Sequence, residues 1–382
     1  METGGFRACG SGYLRKVFCG RVQKEKSESG AEEKMETRIH QQYVKTEEYD
    51  GFVLGGDVGG THTNIAVAGE KDGEATLIYS AHFESQKLIS LIPAMREALE
   101  YGRENYSIEA DRGVMGVAGA VTDCSRIKPT NLPWLVDAEE IKREFGLEKF
   151  RIMNDFQIIG YGIGSLGDAD LFVAKAGEPG FGETRAVIGA GTGLGKSILL
   201  FDGKRYVPIP SEGGHADFPV SDQFDLDLTE HVRGKRENPA SYEDLLSGRG
   251  IERIYEFLRE KRGGAEKTAE INEAKDRAAM ISRYKKTDPL CCETFGIYAK
   301  YYGRCAKNFV LESLATGGLY IAGGIAAKNR EVFVSPEFQA EFLNAEKQRH
   351  LLEKTPVRVI VNYDVSIIGA CNAAVASFDK RL

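Results

Sequence analysis

The chain has 382 residues, 42% of them hydrophobic and 28% charged, with a formal net charge of −7. That is globular composition at a length suited to two domains or one large one. The acidic balance gives no hold for nucleic acid or an anionic membrane surface, and no run approaches the roughly 20 apolar residues of a membrane helix.

Residues 1–50 hold scattered glycines (Gly4, Gly5, Gly10, Gly12, Gly20) and then a stretch dense in Glu and Lys through Glu48. They sustain no apolar period and read as a disordered tail. Arg15, Lys16 and Arg21 interrupt any secretory h-region. The folded part is expected from Gly51. Phe52-Val53-Leu54 and Ile65-Ala66-Val67-Ala68 read as strands joined by the turn Gly55-Gly56-Asp57-Val58-Gly59-Gly60, and Leu77 to Phe83 as a third strand.

Residues 86–101 show helical spacing at Leu88, Ile89, Leu91, Ile92, Met95 and Leu99. A buried strand follows at 113–121. Asp137 with Glu140 resembles a capping box, and Phe150 to Met153 is a strand ending at Asn154-Asp155. Ala186-Val187-Ile188 then leads into Gly189-Ala190-Gly191-Thr192-Gly193-Leu194-Gly195, a second strand–turn–strand that suggests a fold built twice from one plan. Residues 222–315 read as amphipathic helices. Leu319 to Ala322 is a strand running into Gly323-Gly324, Val357 to Val361 a last strand, and Ser366 to Phe378 a last helix. Strands alternating with helices make this an α/β protein. The seven cysteines form no C-x-x-C pair and no Cys/His cluster at zinc spacing, and read as reduced thiols.

Three features carry chemistry. Glycine turns let backbone N–H groups approach an anion closely. Gly59-Gly60-Thr61 and Gly191-Thr192-Gly193 fit that use, each with a threonine hydroxyl, and Gly323-Gly324 is a third candidate; neither the P-loop nor the dinucleotide pattern occurs. Asp57, just before the first turn, either meets phosphates through Mg²⁺ and its water or bonds the turn backbone. Asp155, where a strand gives way to a helix, is either a base beside a reacting hydroxyl or a helix cap. In the loop Glu212-Gly213-Gly214-His215 the glycines let both polar side chains turn to one small ligand.

These motifs, in this order, resemble the glucokinases of the bacterial type within the actin/hexokinase/sugar-kinase superfamily. D-V-G-G-T at 57–61 and G-A-G-T-G-L-G at 189–195 look like its phosphate motifs and N-D-F at 154–156 like its catalytic motif. E-G-G-H-A-D-F at 212–218 is similar to its sugar loop, and L-S-G-R-G at 246–250 and A-G-G-I at 322–325 to its later helix start and adenosine motif. The resemblance implies a two-lobed actin-like ATPase (ribonuclease H-like) fold, each lobe a mixed sheet flanked by helices. The small lobe would be residues 51–160, completed by a C-terminal helix at 365–382, and the large lobe 161–364. It implies phosphorylation of glucose with ATP and Mg²⁺, with Asp155 as general base. Asn131, Asn154, Asp155, Glu212, His215 and Glu243 would hold the sugar. Asp57, Gly59, Gly60, Thr61, Gly191, Thr192, Gly193, Gly323 and Gly324 would hold the nucleotide, Asp57 acting on the metal through water. The turn departs from the family's pattern at His62-Thr63-Asn64. Kinases of other hexoses or N-acetylated amino sugars, and sugar-sensing regulators, are the alternatives of the same fold. A cytoplasmic protein with no membrane or nucleic-acid partner is implied, and a homodimer is compatible with the family.

Overall fold

The computed structural model describes residues 35–178 and 180–378. Its strands are β1 (Glu36–Ile39), β2 (Gly51–Val58), β3 (His62–Lys71), β4 (Glu74–Glu84), β5 (Arg112–Val117), β6 (Arg126–Ile127), β7 (Val136–Asp137), β8 (Lys149–Asn154), β9 (Leu171–Lys175), β10 (Arg185–Ala190), β11 (Leu194–Phe201), β12 (Tyr206–Ser211), β13 (Gly318–Ala322) and β14 (Val357–Ile360). Two sheets of six result, in the orders β1-β4-β3-β2-β5-β8 and β12-β11-β10-β13-β14-β9. In each, three strands form an antiparallel meander, and two more add in parallel beside the meander's first strand. The fold is therefore one plan used twice, as the paired glycine turns suggest, in the two-lobed arrangement that the resemblance implies.

The tail expectation needs correction where it can be compared. Residues 1–34 lie outside the described residues, but 36–39 form a strand of the first sheet and 46–48 a 3₁₀ turn. β1 pairs antiparallel with β4, from Glu36 opposite His82 to Ile39 opposite Tyr79. Arg38 reaches Asp364 at 3.5 Å, His40 Nε2 lies 3.0 Å from Ser80 Oγ, and Met35 and Val44 pack against the first lobe's core. Cross-strand pairing thus orders a segment whose own composition is too polar to show it. The first helix is also shifted, to Leu91–Tyr106. Residues 85–87 form a separate 3₁₀ turn, because the Ser85 hydroxyl donates to Gly59 O at 2.7 Å and Gln86 Nε2 to Gly60 O at 2.8 Å. Those bonds hold the turn after β2 rather than a helix.

Two helices join the lobes. The helix Asp155–Gly162 starts at the end of β8 and packs against β10, β11 and β12 of the second sheet. The closing helix Val365–Ala376 is buried on nearly every side, as a helix apolar all round must be. Its Ile367, Ala370 and Cys371 pack with Val53, Ala66 and Val114 of the first sheet, while Val365 packs with Val187, Leu199 and Tyr320 of the second. The two helices cross backbone to backbone. A Cβ on Gly369 would overlap the carbonyl oxygen of Ile158, and one on Gly162 the carbonyl oxygen of Val365. No rotamer change relieves a backbone clash, so Gly369→Ala is expected to cost about 3 kcal/mol, at the upper end for overpacking. Chemical denaturation measures it; a loss below about 0.5 kcal/mol would mean that the crossing is not tight.

Candidate active site

Asn154 and Asp155 divide the two uses open to an Asn-Asp pair at a helix start. Asn154 is the N-cap: its Oδ1 accepts from Phe156 N at 2.9 Å and Gln157 N at 3.2 Å, and its Nδ2 donates to Gly119 O at 3.1 Å. Asp155 is therefore released from capping. It occupies the first helical position, where its Oδ1 also accepts from Phe156 N at 3.0 Å. Burial first, then the negative charge of Asp57, push the Asp155 carboxyl up to about 7, with Glu212 adding to the rise and the Phe156 N–H opposing it. A carboxyl near neutrality suits proton transfer at physiological pH.

Asp57 is the penultimate residue of β2, and Asp155 follows the end of β8, with β5 between them. Burial pushes the Asp57 carboxyl up, and a hydrogen bond from Ser366 of the closing helix pulls it back. Among the described residues, no group of three or more His, Cys, Asp or Glu is arranged to hold a metal. Mg²⁺ keeps several waters and takes one or two carboxylates together with phosphate oxygens. Asp57, confined beside a second carboxylate, has the chemistry for it.

The Glu212–His215 loop and Glu243 converge from two directions. His215 Nε2 stands 3.8 Å from Glu212 Oε2 and 4.0 Å from Glu243 Oε2. Glu212 and His215 are exposed, whereas Glu243 is largely covered. Glu243 lies on the short helix Tyr242–Leu245, opened by Ser241 and followed by the helix Gly248–Arg262. Its Oε2 accepts from Leu194 N at 3.0 Å, directly after the second glycine turn. Glu212, His215 and Glu243 thus form one cluster, and the Glu212 charge also pushes the Asp155 carboxyl up. Asn131 is placed differently, against Gly60: a Cβ there would lie 3.1 Å from that of Asn131. It neighbours the first glycine turn.

Each glycine turn closes the end of a central strand. Gly59-Gly60-Thr61 follows β2, with Gly59 N donating to His62 O at 2.9 Å. Gly191-Thr192-Gly193 joins β10 to β11; Gly191 N donates to Gly193 O at 2.8 Å, and Gly248 N to Gly191 O at 2.9 Å. The L-S-G-R-G helix start thus braces the second turn. Gly323 follows β13 at φ 94°, a left-handed conformation that favours glycine, and a Cβ there would lie 2.5 Å from Ala190 O. Gly324 starts the short helix Gly324–Lys328.

Four residues join the site that sequence reasoning did not find. Ser366 bonds Asp57, Ser85 anchors Gly59, and Gln157 Nε2 reaches across to Pro208 O at 3.1 Å. Arg249 Nη2 lies 3.8 Å from Glu243 Oε1. Only Arg249 carried a signal, as the basic residue inside L-S-G-R-G.

The Glucokinase family model matches residues 54–377. The glucokinase of Trichormus variabilis is 34% identical over 344 residues, covering 85% of this chain and 98% of that one. The crystal structure of a glucokinase from an Antarctic psychrotroph is 27% identical, with a TM-score of 0.72 over 85% of this chain and 98% of that one. A ROK family glucokinase from Streptomyces griseus, in complex with glucose and AMPPNP, shares the fold at 17% identity and a TM-score of 0.59, over 85% of this chain and 99% of that one. The strand-end turns, the Asn-Asp pair and the sugar-type loop stand within the matched residues, and the chain belongs to the glucokinase family.

Proposed function

We propose that the chain carries out the reaction its family is named for, transfer of the γ-phosphoryl group of ATP to glucose, with Asp155 as the general base. The observation that carries this reading is the release of Asp155 from capping by Asn154, which leaves a carboxyl pushed up to about 7 beside Glu212. Phe156 N–H fixes Asp155 Oδ1, so Oδ2 is the oxygen to take the proton from a primary hydroxyl, on carbon six. The N-terminal dipole of the helix Asp155–Gly162 favours the carboxylate that does so. Glu212, His215 and Glu243 bind the ring hydroxyls. Asn154 holds the catalytic geometry through its cap, and Asn131 belongs with the first glycine turn.

Gly59, Gly60 and Thr61 on one lobe and Gly191, Thr192 and Gly193 on the other cradle the triphosphate, and Gly323 and Gly324 meet the adenosine. Mg²⁺, held through water at Asp57, neutralises charge on the phosphate oxygens. The lobes divide as residues 36–160 with the closing helix, and 161–364. Their closure on the sugar excludes water and keeps ATP from hydrolysis. The cytoplasm, where thiols stay reduced, is the compartment that this reading requires. No helix among the described residues is long and apolar enough to cross a membrane.

A coupled assay with ATP and Mg²⁺ over a panel of hexoses, including mannose and N-acetylated amino sugars, tests the proposal. Glucose is expected to turn over fastest, and Asp155→Ala to abolish it. Absence of turnover with every sugar would overturn the reading; faster turnover of another sugar would reassign the substrate, because a site built to hydrogen-bond a hydroxyl strongly rejects an analogue lacking it.

A further inference from the structure

Lys196, on β11 just after the second glycine turn, is only 2% exposed. Its Nζ sits 4.8 Å from the ring centroid of Tyr242 and 4.9 Å from that of Phe309, and it shares a hydrogen bond with the Cys305 thiol. Among the described residues it has no carboxylate within ion-pair distance. Burial raises the Cys305 thiol to about 11, with Lys196 pulling it back, so the sulfur is neutral at physiological pH and is no counter-ion. An ammonium removed from water without a carboxylate in contact is costly, and two cation–π contacts recover only part of that cost. A methionine or leucine would fill the same space without it.

What the ammonium touches gives the reason. Tyr242 immediately precedes Glu243 on its short helix. Gly213 lies between Glu212 and Gly214-His215, and a Cβ built there would stand 3.2 Å from Lys196 Cδ and 3.5 Å from Nζ. Phe309 and Cys305 belong to the long helix Pro289–Ser313. One side chain therefore meets the sugar loop, the Glu243 helix and the long helix behind them. Its position on the strand leaving Gly191-Thr192-Gly193 puts it behind the cluster that Glu212, His215 and Glu243 form.

We propose that Lys196 is a positioning residue for sugar capture: its buried ammonium holds Gly213 and Tyr242 together and so sets the spacing of Glu212, His215 and Glu243. It touches neither sugar nor nucleotide. The proposal rests on the reading that this loop binds the sugar.

Lys196→Met keeps length and volume and removes the charge, and Gly213→Ala keeps the charge and presses a methyl group on the lysine stem. For each variant, glucose affinity is measured by calorimetry on the full chain, together with the KM for glucose, the KM for ATP and kcat. Lys196→Met is expected to raise the glucose Kd and KM at least tenfold and to leave the ATP KM and kcat within about threefold of the wild type. Gly213→Ala is expected to move the glucose Kd in the same direction, and the double variant to show less than the sum of the two effects, as residues sharing one contact do. A folded Lys196→Met protein with wild-type glucose affinity would overturn the proposal. So would equal rises in both KM values, which indicate general loosening. Should Lys196→Met not fold, Gly213→Ala decides alone, and an unchanged glucose Kd there refutes the assignment. If wild-type protein gives no heat with glucose, the sugar-binding reading fails instead, which separates the two failures.

Discussion

Asp155→Asn is expected to lower kcat by about 10³-fold, within the range that a positioned base contributes, while the protein stays folded. The amide keeps the size of the side chain and its hydrogen bond with Phe156 N, but cannot take a proton. The wild-type pH profile carries the same signature. A carboxyl raised to about 7 by burial and by Asp57 is protonated, and useless as a base, in acid solution. Turnover should therefore rise with pH through about 7 and level off above it, and the residual rate of Asp155→Asn should lack that limb. Stability runs the other way. The folded state holds the Asp155 proton more tightly than the unfolded chain, so stability is greatest below the unfolded value of 3.8 and declines as pH rises through about 7. The substitution removes that decline, so the Tm of Asp155→Asn should exceed wild type at pH 8 and match it near pH 4. Near-normal turnover in the folded variant would dismiss Asp155 as the base.

Asp225→Asn is expected to destabilise the protein by about 3–5 kcal/mol, the usual consequence of removing one member of a buried ion pair. Asp225 is fully buried and Arg304 is 4% exposed, with Arg304 Nη1 donating to Asp225 Oδ2 at 2.6 Å. Ser221 donates to the same oxygen from its N at 3.0 Å and its hydroxyl at 2.7 Å, and Tyr301 Oη donates to Oδ1 at 2.8 Å. Burial works against ionisation here, yet the hydrogen bonds from Ser221, Arg304 and Tyr301 override it and hold the Asp225 carboxyl at about 2. Its contribution is thus complete above the unfolded value of 3.8 and is lost as pH falls from there through about 2. An amide leaves the guanidinium facing Glu341 alone, and Arg304 Nη1 also holds Pro219 O at 2.9 Å, just beyond the sugar loop. Thermal unfolding should shift down by several degrees, and the KM for glucose should rise with it. A Tm within one degree of wild type would show that the pair contributes nothing net.

What the sequence made legible was local. The ends of β2, β8, β10 and β13 each show an apolar run stopping at glycine or Asn-Asp, because strand-to-turn transitions are written in adjacent residues. The motifs at those ends were therefore readable without knowing the fold. What was hidden depends on remote partners. β1 is four residues, Glu-Thr-Arg-Ile, whose order comes from a strand some forty residues away. The first helix starts late because Ser85 and Gln86 serve the turn after β2. Composition alone favours Asp155 as a cap, and only geometry shows Asn154 taking that place. Ser366 and Lys196 act through contacts that no local pattern encodes.

The closing helix makes the order of synthesis matter. Val53, Ala66, Ala68 and Val114 emerge well before the side chains that cover them, from Ile367 to Val375. At ordinary translation speed the first sheet waits on the order of ten seconds or more, with one apolar face bare. The nascent chain in that interval is a natural client for a chaperone. A chain cut before Val365 would leave that apolar face of the first lobe bare.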